Sequence, residues 1–294
     1  MPPAPPRRPT DWTPPGLPPA RNPIPVHPGE HLAYLAGDWR ILQRRDGHTW
    51  SLDDLVVAWV AQAAVPDPTR VLDLGAGIGA VLFLLAWRFP AAHLTGIEAQ
   101  ALSHALSLRT AHYNGVEPRV NLVHNDFRHP PLAFTPDTAP DLVTGTPPYF
   151  DNPDQPRSDH VQRGPCRFED RGGIDAYLTV MARALAVADA HARAVVCHAS
   201  RQRTRVLAAI AASGLAPIRQ LAVVPKAGKD ALVDVFVLAR TPSLTAATPD
   251  WETLVVRDPH DQWTPAFRDV RRTMGLPSEP PRPSDAPRGP PDRS

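Results

Sequence analysis

Apolar residues follow two alternating patterns along the middle of the chain, and the alternation predicts strands followed by helices. Short apolar runs typical of buried strands lie at 70–74, 93–98, 120–123, 141–145, 194–198, 219–224 and 232–238. A short strand closed by an Asp-Gly turn is predicted at 38–48, before these runs. Apolar residues at helical spacing lie at 51–64, 80–88, 99–113, 174–188 and 201–212. Strands that alternate with helices at this spacing pair in parallel, whereas the last two runs resemble a hairpin. The sequence therefore predicts an α/β fold: a doubly wound sheet of seven strands, mostly parallel with one antiparallel edge strand, and helices on both faces.

Proline separates the ends of the chain from its middle. Many of the 38 prolines in the 294 residues crowd 1–28 and 276–294, where apolar side chains that could form a core are scarce. Such segments bury too little apolar surface to fold and adopt polyproline II conformations locally. We therefore expect disordered, proline-rich tails over 1–30 and 276–294, and a single folded domain over 31–275.

Charge and cysteine content narrow the class of protein. The 31 basic and 30 acidic residues give a formal net charge of +1, so contact with RNA or DNA requires a local basic patch. The two cysteines, Cys166 and Cys197, lie far apart without the spacing of a metal site, which suits a reducing compartment. The sequence contains no apolar run of about 18 residues that could span a membrane. We therefore expect a cytoplasmic protein without a metal ion or a membrane partner.

A glycine-rich turn joins the first strand of the predicted sheet to the helix that follows it. Gly75, Ala76 and Gly77 begin a Gly-Ala-Gly-Ile-Gly run, and alternating glycines let backbone N–H groups at a helix N-terminus approach a ligand closely. The turn also satisfies the dinucleotide fingerprint G-x-G-x-x-G/A, and Glu98 follows about 20 residues later, where an acid binds the ribose of NAD. Taken alone, the turn is compatible with NAD and with S-adenosylmethionine.

Two neighbouring features favour S-adenosylmethionine. Asp73, just before the first glycine, would place a negative charge near a pyrophosphate but suits the positively charged amino group of S-adenosylmethionine. Asn125 and Asp126 end the third strand, where they can bind the exocyclic amine and ring edge of adenine, and Phe127 can lie against the base. Ligands of a doubly wound sheet bind beyond the carboxyl ends of its strands. We therefore predict a cofactor site formed by Asp73, Gly75, Ala76, Gly77, Glu98, Asn125, Asp126 and Phe127.

The stretch that follows the fourth strand is a second candidate site. It reads Thr146, Pro147, Pro148 and Tyr149. Two prolines remove two backbone donors and hold φ near about −65°, so the backbone is rigid and its carbonyl groups point in a defined direction. The flanking hydroxyl and aromatic ring can then hold a flat substrate nitrogen. These four residues are the candidate catalytic residues.

Together these motifs resemble those of a known family. The residues that carry the likeness are Asp73 to Gly79, Glu98, Asn125-Asp126 and Pro147-Pro148-Tyr149-Phe150. They are similar to the successive motifs of class I S-adenosylmethionine-dependent methyltransferases of the Asn-Pro-Pro-Tyr type, which include bacterial adenine-N6 methyltransferases acting on valine tRNA and the methyltransferase small-domain family. The resemblance covers about residues 38–240, and it includes Asp53, where those enzymes carry a helix-capping acid beside the cofactor. It implies a Rossmann-like fold.

The resemblance also implies a role for each matched residue. The glycine turn would pass under the methionine and ribose parts of the cofactor, Asp73 would reach its amino group, and Glu98 would bind the ribose hydroxyls. Asp126 would bind the adenine amine. The Pro147 carbonyl would accept a hydrogen bond from the target amino group, and Tyr149 would stack on the target base. The implied activity is methyl transfer to an exocyclic amino nitrogen without a strong base, and the leading acceptor is adenine N6 in tRNA or another structured RNA.

One position departs from the family pattern. Thr146 stands where the family has Asn, and its hydroxyl can accept a single hydrogen bond but lacks the reach of an amide oxygen. A weaker enzyme, another target atom or altered chemistry would each fit this change. The alternatives are methylation of a protein glutamine or a small molecule, and a non-catalytic scaffold that binds S-adenosylmethionine.

Two arginine-containing segments are further candidates for substrate contact. The polar loop 151–173 can form a lid over the substrate or remain a solvated surface loop. Arg201, Arg203 and Arg205 open the next helix, where they can bind phosphate groups or form a solvated face.

Overall fold

A computed structural model describes residues 18–129, 132–149, 162, 168–169, 172–241 and 250–278 of the chain. The strands are β1 (Glu30–Tyr34), β2 (Arg40–Arg44), β3 (Arg70–Leu74), β4 (His93–Glu98), β5 (Val120–His124), β6 (Leu142–Gly145), β7 (Arg193–Ala199), β8 (Leu215–Lys226), β9 (Val233–Arg240) and β10 (Trp251–Arg257). The helices are α1 (Leu52–Ala64), α2 (Ala80–Arg88), α3 (Ala101–Asn114), α4 (Ile174–Val187), α5 (Arg203–Ala212) and α6 (Pro265–Thr273). A 3₁₀ turn, Ser200–Gln202, leads into α5.

Eight strands form the central sheet, in the order β10-β8-β9-β7-β6-β3-β4-β5. Neighbouring strands are parallel except where β9 pairs with β7 and with β8. The predicted α/β class with a mostly parallel sheet is confirmed. Two details of the prediction are wrong, since the sheet has eight strands rather than seven and the antiparallel strand β9 is interior rather than at an edge. The strand β9 is buried over most of its length, as expected of a strand with neighbours on both sides.

Two apolar cores lie on opposite faces of this sheet. One contains Phe83 and Trp87 and is built with α1, α2, α3 and α6, and the other contains Leu178, Met181 and Ile210 and is built with α4 and α5. The helix α2 is apolar on nearly every side, because it lies under other elements as well as on the sheet. The prediction of helices on both faces is therefore confirmed.

The N-terminal hairpin β1–β2 lies outside the large sheet and is held by the C-terminal end of the described chain. The Gly275 carbonyl accepts hydrogen bonds from the Gly37 N–H at 2.8 Å and from the Tyr34 hydroxyl at 2.8 Å. The segment before the hairpin runs along α3, where the Ala20 N–H donates to the Asn114 carbonyl at 3.2 Å. The first and last segments of the described chain therefore pack against the same domain.

Most predicted elements are found within a few residues of their predicted ends, and three observed elements were missed. These are β1, β10 and α6. The helix α6 buries only Phe267 and Val270, and its remaining surface is charged or small, so its hydrophobic pattern is too short to identify. The predicted tails remain predictions for residues 1–17 and 279–294, which lie outside the described part of the chain. Within the first predicted tail, Ala20 bonds to Asn114 and Glu30 pairs with Arg109. Within the described ranges, no helix combines the length and the hydrophobicity that crossing a membrane requires.

Candidate functional site

A cavity of about 600 Å³ lies at the carboxyl ends of β3, β4, β5 and β6. Of the residues that the sequence singled out, those that line it are Gly75, Ala76, Gly77, Glu98, Asp126, Phe127, Thr146, Pro147, Pro148 and Tyr149. Asp73 and Asn125 do not line it. The parallel strands thus bring the glycine turn and the Thr-Pro-Pro-Tyr segment to one space, as expected at this edge of a doubly wound sheet.

The glycine turn has a left-handed backbone at each glycine. The φ angles are +62° at Gly75, +58° at Gly77 and +89° at Gly79, a region that residues with a Cβ rarely adopt. A Cβ at Gly75 would lie 2.1 Å from the Tyr177 hydroxyl, whereas a Cβ at Gly77 would meet no protein atom within 4 Å. Gly75 therefore accommodates Tyr177, and the absence of a side chain at Gly77 keeps the cavity open.

The carboxylate of Glu98, at the end of β4, stabilises the glycine turn by hydrogen bonds. Its Oε2 accepts a hydrogen bond from the Gly77 N–H at 2.7 Å, and its Oε1 accepts one from the Gln100 N–H at 2.6 Å. Glu98 is buried and lines the cavity. A carboxylate oxygen can accept more than one hydrogen bond, so Glu98 is chemically suited to bind hydroxyl groups.

The three residues after β5, Asn125, Asp126 and Phe127, make different contacts. The side chain of Asn125 accepts a hydrogen bond from the Asp126 N–H at 2.9 Å and so shapes the turn. The Asp126 carboxylate lines the cavity and pairs with Arg128 at 2.6 Å, and these hydrogen bonds lower the pKa of Asp126. The ring of Phe127 lies edge-on to Tyr177 with a centroid separation of 4.8 Å. An ionised acceptor and an aromatic ring are therefore both present at this part of the cavity.

Asp73 lies below the glycine turn. Its Oδ1 accepts a hydrogen bond from the Thr144 hydroxyl at 2.7 Å, and its carboxylate also receives the backbone N–H of Leu82 in the first turn of α2. Burial raises the pKa of Asp73 to about 7. This side chain joins β3, β6 and α2 and does not line the cavity, contrary to the prediction.

The Thr146–Tyr149 segment is held from two sides. The Tyr149 hydroxyl donates to Asp53 Oδ2 at 2.8 Å and lies 3.0 Å from Cys197 Sγ. The Tyr149 carbonyl accepts a hydrogen bond from Gln202 Nε2 at 2.8 Å. The side chain on which base stacking was predicted is therefore anchored at its hydroxyl end, and the stacking itself stays a prediction.

The start of α1 brings two more carboxylates to the cavity. Ser51 caps this helix, and its backbone N–H donates to Asp54 Oδ2 at 2.9 Å. Asp53 and Asp54 both line the cavity. Burial, together with the charge of Asp53, raises the pKa of Asp54 well above its ordinary value. The family resemblance pointed to an acid near position 53, but nothing in the sequence pattern pointed to Asp54.

Tyr177 is another cavity residue that sequence reasoning missed. It lies on α4, contacts the glycine turn and packs against Phe127. In the sequence it is one apolar position of an amphipathic helix, which is the signal of an ordinary core residue. Its contact with Gly75 depends on how α4 docks on the sheet, so no local pattern could have revealed it.

The arginine-containing segments are described only in part. Most of the loop 151–173 lies outside the described residues. Gln162, which is described, is buried, and its Oε1 accepts a hydrogen bond from the His48 N–H at 3.1 Å. Arg203 pairs with Asp234 at 2.7 Å, and Arg205 pairs with a loop carboxylate, Glu169, at 2.7 Å. These two arginines are therefore ion-paired in the structure, and their contact with phosphate groups stays a prediction. Among the residues described, no three His, Cys, Asp or Glu side chains form a group that could hold a metal ion.

Comparisons with known proteins give partial sequence matches and a shared fold. No protein-family model matches the chain. A release factor glutamine methyltransferase from Bordetella pertussis is 29% identical over 160 residues, which cover 50% of this chain and 53% of that protein. A tRNA1(Val) (adenine(37)-N6)-methyltransferase from Vibrio parahaemolyticus is 27% identical over 121 residues, which cover 41% of this chain and 47% of that protein. The matched region thus spans about half the length of these curated relatives.

The solved structures show the same architecture at low sequence identity. A predicted O-methyltransferase from Agrobacterium tumefaciens superposes with a TM-score of 0.53 at 14% identity, covering 76% of this chain and 98% of that chain. The fold and the relatives therefore confirm the predicted resemblance to class I S-adenosylmethionine-dependent methyltransferases with a Rossmann-like fold.

Proposed function

We propose that this chain transfers a methyl group from S-adenosylmethionine to an exocyclic amino nitrogen, with adenine N6 in tRNA or another structured RNA as the leading acceptor. The observation that carries the proposal is a single cavity lined both by the glycine turn and by the Thr146–Tyr149 segment. Its volume of about 600 Å³ leaves room for a nucleotide-sized cofactor beside a flat acceptor group.

The charge of the cavity supports S-adenosylmethionine over NAD. The described residues that line it include the carboxylates of Asp53, Glu98 and Asp126 but no lysine or arginine. These carboxylates would repel the pyrophosphate of NAD, whereas they would attract the sulfonium and ammonium groups of S-adenosylmethionine. The hydrogen bonds from Arg128 lower the pKa of Asp126 and so keep that acceptor ionised.

The residues present fit the proposed cofactor. The cofactor would lie close to the backbone at Gly77, because this residue has no Cβ to enter the cavity. Glu98 would bind the ribose hydroxyls, Asp126 would accept from the adenine amine, and Phe127 would lie against the base. When bound, S-adenosylmethionine supplies an electrophilic methyl group on its sulfonium sulfur.

The other side of the cavity would hold the acceptor. Pro147 fixes the backbone, and its carbonyl would accept a hydrogen bond from the target amino group. The Thr146 hydroxyl offers a second acceptor, and the ring of Tyr149 offers a flat surface. These contacts would orient the nitrogen lone pair and exclude water, and the acidic lining would stabilise positive charge developing on the nitrogen. Positioning and local charge would therefore promote the transfer without a dedicated base, and the proton that the nitrogen loses would pass to water as the product leaves.

The relatives support two classes of acceptor. Of the similar proteins, one is a methyltransferase of adenine in tRNA and the other a methyltransferase of glutamine in a release factor. Both acceptors carry a planar nitrogen, which fits the Pro147 carbonyl and the Tyr149 ring. We keep adenine first and protein glutamine second, with a small molecule as a further alternative.

Calorimetric titration with S-adenosylhomocysteine and with NAD tests the cofactor. We expect binding of S-adenosylhomocysteine that Glu98→Ala weakens, because this change removes the acceptor of the Gly77 N–H. The matched control is Glu117→Ala, whose carboxylate lies on the surface beside His112. Heat with NAD and none with S-adenosylhomocysteine would reverse the choice of cofactor.

Transfer of labelled methyl groups tests the acceptor. Purified protein is incubated with labelled S-adenosylmethionine and either bulk tRNA or a bacterial protein extract, each prepared from cells that lack the corresponding gene. We expect label in tRNA, recovered as N6-methyladenosine, and loss of this label with Tyr149→Ala. Label confined to glutamine in protein would select the second acceptor, and label in neither fraction would contradict both.

A further inference from the structure

The hydroxyl of Tyr149 belongs to a chain of three buried or partly buried side chains below the cavity. It donates to Asp53 Oδ2 at 2.8 Å and lies 3.0 Å from Cys197 Sγ. The other oxygen of the same carboxylate, Asp53 Oδ1, accepts from the Ser51 hydroxyl. Asp53 therefore has both carboxylate oxygens engaged while it also lines the cavity.

The direction of these hydrogen bonds follows from their chemistry. The single hydroxyl proton of Tyr149 goes to the carboxylate, so the thiol of Cys197 must donate to the tyrosine oxygen. Burial raises the pKa of the Tyr149 phenol and of the Cys197 thiol well above their ordinary values, so both keep their protons near neutral pH. The chain therefore runs from Cys197 through Tyr149 to Asp53, and it fixes the orientation of the tyrosine ring.

The backbone of the same residue is fixed from the opposite side. The 3₁₀ turn after β7 supplies Gln202, whose Nε2 donates to the Tyr149 carbonyl at 2.8 Å. The ring centroid of Tyr149 lies 5.2 Å from that of His198 on β7. With its backbone held by this turn, the remaining freedom of Tyr149 is rotation of its side chain, and the Asp53 carboxylate is the charged partner that limits it.

We propose that Asp53 is a positioning residue for the methyl acceptor, because its carboxylate holds the Tyr149 ring in place beside Pro147. The inference rests on the proposed function, and it adds a residue on α1 that acts on the acceptor through Tyr149. Loss of the hydrogen bond leaves the ring free to rotate, so the acceptor is held less often in a reactive orientation. A misplacement of this kind lowers the rate without removing any group that touches the reacting atoms.

A double-mutant cycle with Asp53→Ala, Tyr149→Phe and the double variant tests this inference. We expect Tyr149→Phe to lower kcat/KM for the acceptor about tenfold, with the Kd of S-adenosylhomocysteine unchanged. The double variant should lose no more activity than Asp53→Ala alone, which gives a coupling of about tenfold, or about 1.4 kcal/mol. The controls are Asp137→Ala on an exposed loop and Tyr113→Phe on α3, which remove the same groups elsewhere.

The same cycle is measured by equilibrium unfolding, which requires no activity. Coupling in stability together with coupling in kcat/KM supports the inference. Activity losses that add in the double variant, or a Tyr149→Phe variant with the wild-type kcat/KM, would overturn it even though the protein binds S-adenosylhomocysteine. A wild-type protein that neither binds S-adenosylhomocysteine nor transfers methyl groups would overturn the proposed function, and the inference with it.

Discussion

Replacing Gly77 by alanine separates the backbone requirement of the glycine turn from its requirement for open space. The backbone at Gly77 has φ +58°, and a Cβ there would meet no protein atom within 4 Å. The folded protein therefore loses only what an L-residue loses in a left-handed conformation, about 1–2 kcal/mol of unfolding free energy. Because Gly77 lines the cavity, the added methyl group enters the space that the cofactor would fill. Overpacking of about 1–3 kcal/mol corresponds to roughly 5- to 150-fold weaker binding.

The neighbouring substitution Gly75→Ala should behave differently. It adds the same backbone strain at φ +62°, but its Cβ would also lie 2.1 Å from the Tyr177 hydroxyl. Tyr177 would have to move away from Phe127, so the total loss of stability should reach about 3 kcal/mol or more. Adding Tyr177→Phe removes the atom in the clash and should restore part of this loss. Gly75→Ala should therefore mainly lower the stability of the fold, whereas Gly77→Ala should mainly weaken ligand binding.

Denaturant titration and calorimetry with S-adenosylhomocysteine measure the two effects on the same samples. Gly214→Ala is the matched control, because Gly214 has φ +76° with no heavy atom within 4 Å of the added Cβ and does not line the cavity. It should lose as much stability as Gly77→Ala and bind the ligand like the wild type. A Gly77→Ala variant that binds S-adenosylhomocysteine with the wild-type Kd would refute the assignment of this turn to the cofactor.

Two further predictions concern pH and the acceptor. Burial raises the pKa of Asp73 from 3.8 to about 7, so the folded state binds more protons than the unfolded state between these values. The free energy of unfolding should therefore fall as pH rises from about 4 to about 7, by up to about 1.4 kcal/mol per pH unit. In denaturant titrations, Asp73→Asn should reduce this slope. The slope that remains should come from Asp54, whose pKa is also raised. Thr146→Asn should raise the rate of labelled methyl transfer about tenfold, because an amide oxygen reaches further toward the target amino group than the hydroxyl does. A fall in rate with Thr146→Asn would contradict the proposed contact.

The sequence predicted much of the site because parallel strands end at a common edge. Glu98 is the last residue of β4, and Asp126 and Phe127 follow β5; the geometry of a doubly wound sheet brings such positions together around one cavity. Asp73 was predicted to line the cavity and does not, because it lies inside β3, where successive side chains point to opposite faces. Its side chain faces the start of α2, where it stabilises the packing of this helix beneath the glycine turn. A position at the end of a strand therefore predicts that a side chain lines the cavity better than the presence of an acidic residue does.

Contacts made by docking of distant elements could not be predicted. Tyr177 reaches Gly75 because α4 packs on the sheet in one particular position, and Asp53 reaches Tyr149 because α1 packs across the end of β6. Neither contact has a local pattern in the sequence. The position of β9 was missed for a related reason, since a hairpin pattern gives the pairing of two strands but not their order in the sheet.

The hydrogen bond between the Tyr34 hydroxyl and the Gly275 carbonyl has a consequence for biosynthesis. It joins residues 241 positions apart, and the hairpin that it braces leads directly into residues 47–54, several of which line the cavity. During translation, the early part of this wall leaves the ribosome long before the segment that braces it. Contacts of such sequence separation form late and slow the folding of a domain. Full affinity for a cofactor should therefore arise only after residue 275 has emerged from the ribosome.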